Sequence, residues 1–136
     1  MAPVDLSGTW KLVRSENFDE YLKEMNLIYL ARKIANHITP VHEIEQDGDS
    51  FVIKISTPRG TQVMTFKIGE EFEQKVMSYQ GDFTCKASWD DNKLVIDYTP
   101  KDSNKKTIKE TREIVDDEYI LIHIMFLVVK LRRVMR

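Results

Sequence analysis

A single cysteine, Cys85, stands in the 136-residue sequence. That excludes an internal disulfide framework and any multi-cysteine metal site, and it is compatible with a reducing compartment. Glycine and proline are also scarce, at five and four residues, which excludes collagen-like and low-complexity chains. Neither sign of charge prevails: 20 Lys and Arg face 22 Asp and Glu, for a formal net charge of -2. Nucleic-acid-binding domains usually carry a clear basic excess, so no nucleic-acid partner is expected. Long apolar runs are missing too. The most apolar stretch, Tyr119 to Val129, has eleven residues, contains His123, and is too short to span a bilayer as a helix. Residues 1–9 show no secretory-signal pattern. What is present, 42% hydrophobic and 31% charged residues, suits one soluble domain over residues 1–136, expected in the cytoplasm.

Chemistry-bearing motifs are equally sparse. His37, His42 and His123 match no helix-face pair and have no acidic cluster beside them, so no metal and no other cofactor is expected. Cys85 has no base near it in sequence and reads as a buried structural thiol. No nucleophile elbow, phosphate loop or paired-carboxylate motif occurs, which argues against an enzyme.

The residue pattern is dominated by strands. After a short strand at Gly8 to Ser15, Asn17 or Ser15 can cap a helix that carries Phe18, Tyr21, Leu22 and Met25 at helical spacing, with Asn26 as its stop. A second helical pattern runs from Tyr29 to His37 and closes before Pro40. From there on, short runs alternate with turns such as Gln46-Asp47-Gly48-Asp49, Asp90-Asp91-Asn92 and Asp116-Asp117-Glu118. About ten strands at spacings of roughly 8–12 residues predict an all-β barrel or sandwich. A barrel also leaves no long exposed edge.

Several segments resemble the intracellular lipid-binding proteins, the cellular fatty-acid- and retinoid-binding proteins. They are Gly8-Thr9-Trp10-Lys11, Ser15 to Leu22, Arg32-Lys33-Ile34-Ala35, Phe66 to Phe72 and Arg112 to Asp116. The resemblance covers nearly the whole chain, and the run Arg32 to Ala35 is most like the retinoid-binding branches. It implies a ten-stranded antiparallel up-and-down barrel closed at one end by a helix-turn-helix. One lipid would lie in the cavity, and the protein would be a carrier rather than an enzyme.

The resemblance also implies where a ligand is held. Arg112, in Thr111-Arg112-Glu113-Ile114, and Arg132, read as the start of an Arg-x-Tyr motif, resemble the family's two head-group arginines. Val134 stands in place of that motif's tyrosine. Leu121 and His123 are expected to face inward, and Arg59 and Phe18 to meet the ligand as well. Retinol binders carry glutamine at the two arginine places, so arginine at both favours an acid: a fatty acid, or retinoic acid over retinol. A guanidinium suits that task because its planar fork meets a carboxylate through two bonds. Burying a C16–C20 chain, at ~25 cal/mol per Å², supplies most of the affinity.

Period-2 alternation puts Glu110 on the face of Arg112 and Lys130 on that of Arg132. Glu110 either faces inward, where it could pair with an arginine and compete with a ligand's carboxylate, or stands at the barrel rim in solvent. Arg133 and Arg136 become available if the last strand slips by one residue, since such a slip exchanges faces. Two alternatives stand beside the acid carrier: a retinol-binding protein, and a barrel-fold interaction protein with no cavity ligand. Ile120, Ile122 and Ile124 form either an exposed patch or a row covered by flanking side chains. Lys23, Arg32 and Lys33 on the cap resemble a nuclear-import surface of retinoic-acid-binding relatives, and they also suit transient contact with anionic membranes. The bland alternative is a solvated helix face. A monomer is expected.

Overall fold

A computed structural model describes residues 2–24, 27–58, 60–76, 81–102, 104, 106–125 and 129–135. The side chains at 76, 81, 125 and 129–132 lie outside that description. Asn26, Met25, Arg59 and Arg136 are therefore outside the described residues, as are the side chains of Lys130 and Arg132.

Ten strands and two short helices follow one another. They are β1 Gly8–Glu16, α1 Phe18–Glu24, α2 Tyr29–Asn36, β2 Val41–Asp47, β3 Ser50–Thr57, β4 Gly60–Lys67, β5 Glu71–Val76, β6 Gly81–Asp90, β7 Lys93–Pro100, β8 Ile108–Val115, β9 Glu118–Met125 and β10 Val129–Met135. Every ladder is antiparallel, in the order β4-β3-β2-β1-β10-β9-β8-β7-β6-β5. β1 pairs with both β2 and β10, which turns a meander into a nearly closed barrel. No ladder joins β4 to β5 among the described residues. Gln62 Nε2 donates to the Lys75 carbonyl there at 3.0 Å, and the rings of Phe66 and Phe72 stack at 4.9 Å.

Turn chemistry sets the rhythm. Asp116 and Asp117 both take positive φ (51° and 64°), as a two-residue hairpin turn with right-handed twist requires. Gly48 and Gly69 take φ 60° and 84°, with open space where a Cβ would stand. The helices are held differently. Tyr21 N donates to the Asn17 carbonyl at 3.1 Å, starting α1, while α2 begins at Ile28 without a side-chain cap. α1 buries Tyr21 and Leu22 over the barrel mouth, and α2 buries no residue.

The inward rows fill with apolar side chains, among them Phe51, Ile53, Met64, Phe83 and Leu94. Trp10 stacks on Tyr119 at 5.4 Å, and Trp89 leans on Phe51 at 5.9 Å. Cys85 is fully buried, and burial pushes its thiol up to about 12. On the outer face Ile120 is buried between its cross-strand neighbours Glu113 and Val134, and Ile122 and Ile124 are half-buried. Ile120 is therefore covered by its neighbours, and Ile122 and Ile124 are covered in part.

Candidate ligand site

Cross-strand partners share a face. One inward row runs Leu94 (β7), Arg112 (β8), Leu121 (β9), Arg133 (β10), Ser15 (β1). The next row holds Ile96, Glu110 and His123. Leu121 and His123 thus share the inward face of Arg112. The last strand differs from the sequence-based expectation by one residue. Arg132 pairs with Ile122 and Glu16, and Val134 with Ile120 and Arg14, so both positions belong to the opposite row. Arg133 stands in line with Arg112, and Met135 takes the inward place that Val134 was expected to hold. Because the side-chain period is two, a one-residue shift of register moves the whole set to the other face.

Arg112 is fully buried, the first by volume of the fully buried side chains among the described residues. Its Nε donates to Tyr119 Oη at 2.6 Å, and its Nη1 donates to Glu110 Oε1. Glu110 is buried, the inward of the two placements that the sequence left open. Tyr98 Oη donates to Glu110 Oε1 at 3.1 Å, and His123 Nε2 lies 2.8 Å from Glu110 Oε2. A lone carboxylate would be costly in this interior, but donors from β7, β8 and β9 converge on this one. Burial works against its ionisation, yet the charge of Arg112 and the neighbouring His123 outweigh burial and hold the carboxyl below its ordinary 4.5. Burial likewise opposes the charge on Arg112, and Glu110 more than offsets it, so the guanidinium titrates above its ordinary 12.5.

The network continues past Tyr119, whose Oη lies 3.3 Å from His42 Nδ1. An arginine can only donate, so Tyr119 accepts from Arg112; its own proton serves His42 in the tautomer whose Nδ1 is unprotonated. Burial, reinforced by Arg112, lowers the pKa of His42 to about 3. Burial pushes Tyr119 up to about 12 against the pull of Arg112. Tyr98, Tyr119 and His42 were not singled out as network members in the sequence. Their alternation with apolar neighbours marks an inward face, but not which donor meets which acceptor.

Arg133 is a separate case. Its guanidinium lies 3.8 Å above the Phe18 ring of α1, a cation–π contact that brings Phe18 to the site. Burial lowers its pKa to about 10, with Tyr21 pulling the other way. Arg133 Nε and its cross-strand neighbour Ser15 Oγ are buried without hydrogen-bond partners among the described residues. A cleft of about 530 Å³ lined by Leu12, Phe18, Ile38 and Arg133 reaches them between β1, α1 and the α2–β2 connection.

A barrel with two helices over one end is the fold that comparisons with known proteins also return. The family model described as lipocalin / cytosolic fatty-acid binding protein family matches residues 7–124. The chain belongs to this family. Retinol-binding protein 1 of Rattus norvegicus is 40% identical over 94 residues, 68% of this chain and 69% of that protein. Human cellular retinoic acid-binding protein 2 is 37% identical over 123 residues, 87% of each. Among solved structures, human cRBP IV superposes with a TM-score of 0.87 at 29% identity, covering 98% of both chains. A fatty acid transporter, REP1-NXSQ, gives 0.86 at 34%, covering 97% of this chain and 95% of that one. The family is one of carriers for small hydrophobic ligands, not of enzymes, and this chain is a hydrophobic-ligand carrier of that kind. No helix among the described residues is long and apolar enough to cross a membrane.

Proposed function

We propose that the protein is a cytoplasmic, monomeric, single-domain carrier of one hydrophobic acid, a long-chain fatty acid or retinoic acid, in preference to retinol. The observation that carries this reading is the charge of the interior. Among the described residues, two inward arginines, Arg112 and Arg133, face one buried carboxylate, Glu110. A ligand bearing one negative charge brings that sum to zero. Arg133 has an unused donor in Nε and no acidic partner among the described residues, whereas Arg112 is paired with Glu110, and Ser15 Oγ beside Arg133 supplies a second polar contact. A carboxylate there would relieve the burial of the guanidinium. Leu121, His123 and Phe18 line the ligand in this reading.

The test is competition among oleate, all-trans-retinoic acid and retinol on purified protein. Wild type should favour an acid. Arg133→Gln should shift the acid-to-retinol ratio of affinities at least tenfold toward retinol, about 1.4 kcal/mol. A ratio that does not move sinks the assignment of the head group to Arg133. Retinol remains the second reading, because Glu110 already pairs with Arg112 and offers an acceptor to a hydroxyl head.

The cap is the part of the molecule suited to membrane contact. Ile28, Tyr29 and Leu30 are 71%, 65% and 65% exposed at the start of α2, and the Lys33 ammonium lies 5.7 Å from the Tyr29 ring centre. An apolar tip beside a basic side chain is a motif for transient docking on anionic lipid. Leu30→Ser with Tyr29→Ser should slow ligand transfer to phosphatidylserine vesicles severalfold and leave equilibrium affinity unchanged. Equal transfer rates would return the cap to a plain solvated face.

A further inference from the structure

The Arg112–Glu110 pair bears on which arginine a ligand can use, an inference that rests on the carrier reading above. A guanidinium grips a carboxylate through two parallel N–H bonds from one edge of its fork. In Arg112 the Nε hydrogen goes to Tyr119 and Nη1 goes to Glu110. Nη2 alone is without a partner among the described residues. Each edge available for a two-point grip therefore includes a nitrogen already engaged. Glu110 is itself held from three sides, by Arg112, Tyr98 and His123, so it does not swing away freely. Arg133 has no acidic partner among the described residues. It stands two strands away in the same inward row, roughly 10 Å from Arg112 between backbones.

We propose that Glu110 is the specificity-determining residue of the cavity: a resident carboxylate that occupies Arg112, withholds it from an incoming acid, and leaves head-group reading to Arg133. Of the described arginines, the cavity thereby presents one unpaired guanidinium rather than two. A ligand with a single negative charge is accommodated, and its carboxylate stops under α1 beside Phe18 rather than deeper at Arg112.

Three measurements on the full chain test this. Glu110→Gln removes the resident charge, so oleate affinity should rise at least tenfold relative to retinol. Adding Arg112→Gln to Glu110→Gln should abolish that gain, because the gain acts through Arg112. A ratio unchanged in Glu110→Gln, or a gain that persists without Arg112, overturns the proposal. Should Glu110→Gln fail to fold, wild type decides. The Nε–H resonance of Arg133, observed by ¹⁵N NMR, should shift when oleate saturates the protein, while that of Arg112 stays in place. Movement of Arg112 instead of Arg133 overturns the proposal. If wild type binds none of oleate, retinoic acid and retinol, the carrier reading falls and this inference with it. Tight binding together with an unmoved Glu110→Gln ratio removes this inference alone.

Discussion

Arg112→Leu is expected to cost about 3–5 kcal/mol of folding stability, the usual consequence of removing one partner of a buried ion pair. The cost comes less from lost attraction than from what remains. Glu110 would stay buried, with Tyr98 as donor and the His123 ring beside it but no fixed positive charge, in a site where burial alone disfavours ionisation. Tyr119 would also lose the 2.6 Å bond from Arg112 Nε, keeping only the contact with His42. Glu110→Leu should be comparably costly, because it strands a fully buried guanidinium. The double variant Arg112→Leu/Glu110→Leu removes both charges at once. It should fall within about 1–2 kcal/mol of wild type, since replacing a buried pair by apolar side chains is often neutral or better. Urea unfolding at neutral pH gives all three values and their coupling. A loss below about 1 kcal/mol in either single variant would mean that the pair is open to water and its charges are solvated.

The same pair shows where sequence reasoning reaches its limit. The barrel was legible, because turn residues and alternation are local. Asp47-Gly48, Asp90-Asp91-Asn92 and Asp116-Asp117 mark hairpins, and each lies at a junction between consecutive strands. Arg112 was legible as an inward arginine through its motif. Two features were not. The register of β10 depends on β9 and β1, and Arg132-Arg133 offers the same chemistry at adjacent positions of opposite face. The family's Arg-x-Tyr pattern could not choose between them once its tyrosine was gone. Glu110 was legible as sharing a face with Arg112 and as a partner it could take, but alternation did not decide between burial and the rim. What allows its burial is donors on β7 and β9, and no property of β8 alone announces them.

Acid should weaken the fold earlier than its carboxylates predict, and His42 is the reason. The imidazole is 2% exposed, and burial lowers its pKa from 6.5 to about 3. Below pH 6.5 the unfolded chain takes up a proton at this side chain, whereas the folded chain refuses it until about pH 3. Stability therefore falls as pH drops through that window, at up to about 1.4 kcal/mol per pH unit, or roughly 4–5 kcal/mol in all. Glu110 adds a second limb of the same sign, which starts lower. Its folded carboxyl sits below 4.5, so its contribution is complete above that value and lost as pH falls beneath it. Between pH 6.5 and 4.5 His42 acts ahead of that limb. Wild type should lose about 2–3 kcal/mol over those two units from this group alone, and His42→Gln should remove that share of the slope. Glutamine keeps an acceptor for the Tyr119 hydroxyl and cannot titrate. Urea titrations of both proteins across this range decide the matter. Parallel slopes would mean that His42 opens to solvent and takes its proton in the folded state. The hydrogen-bond chain from Glu110 through Arg112 and Tyr119 would then end one residue sooner than the geometry has it.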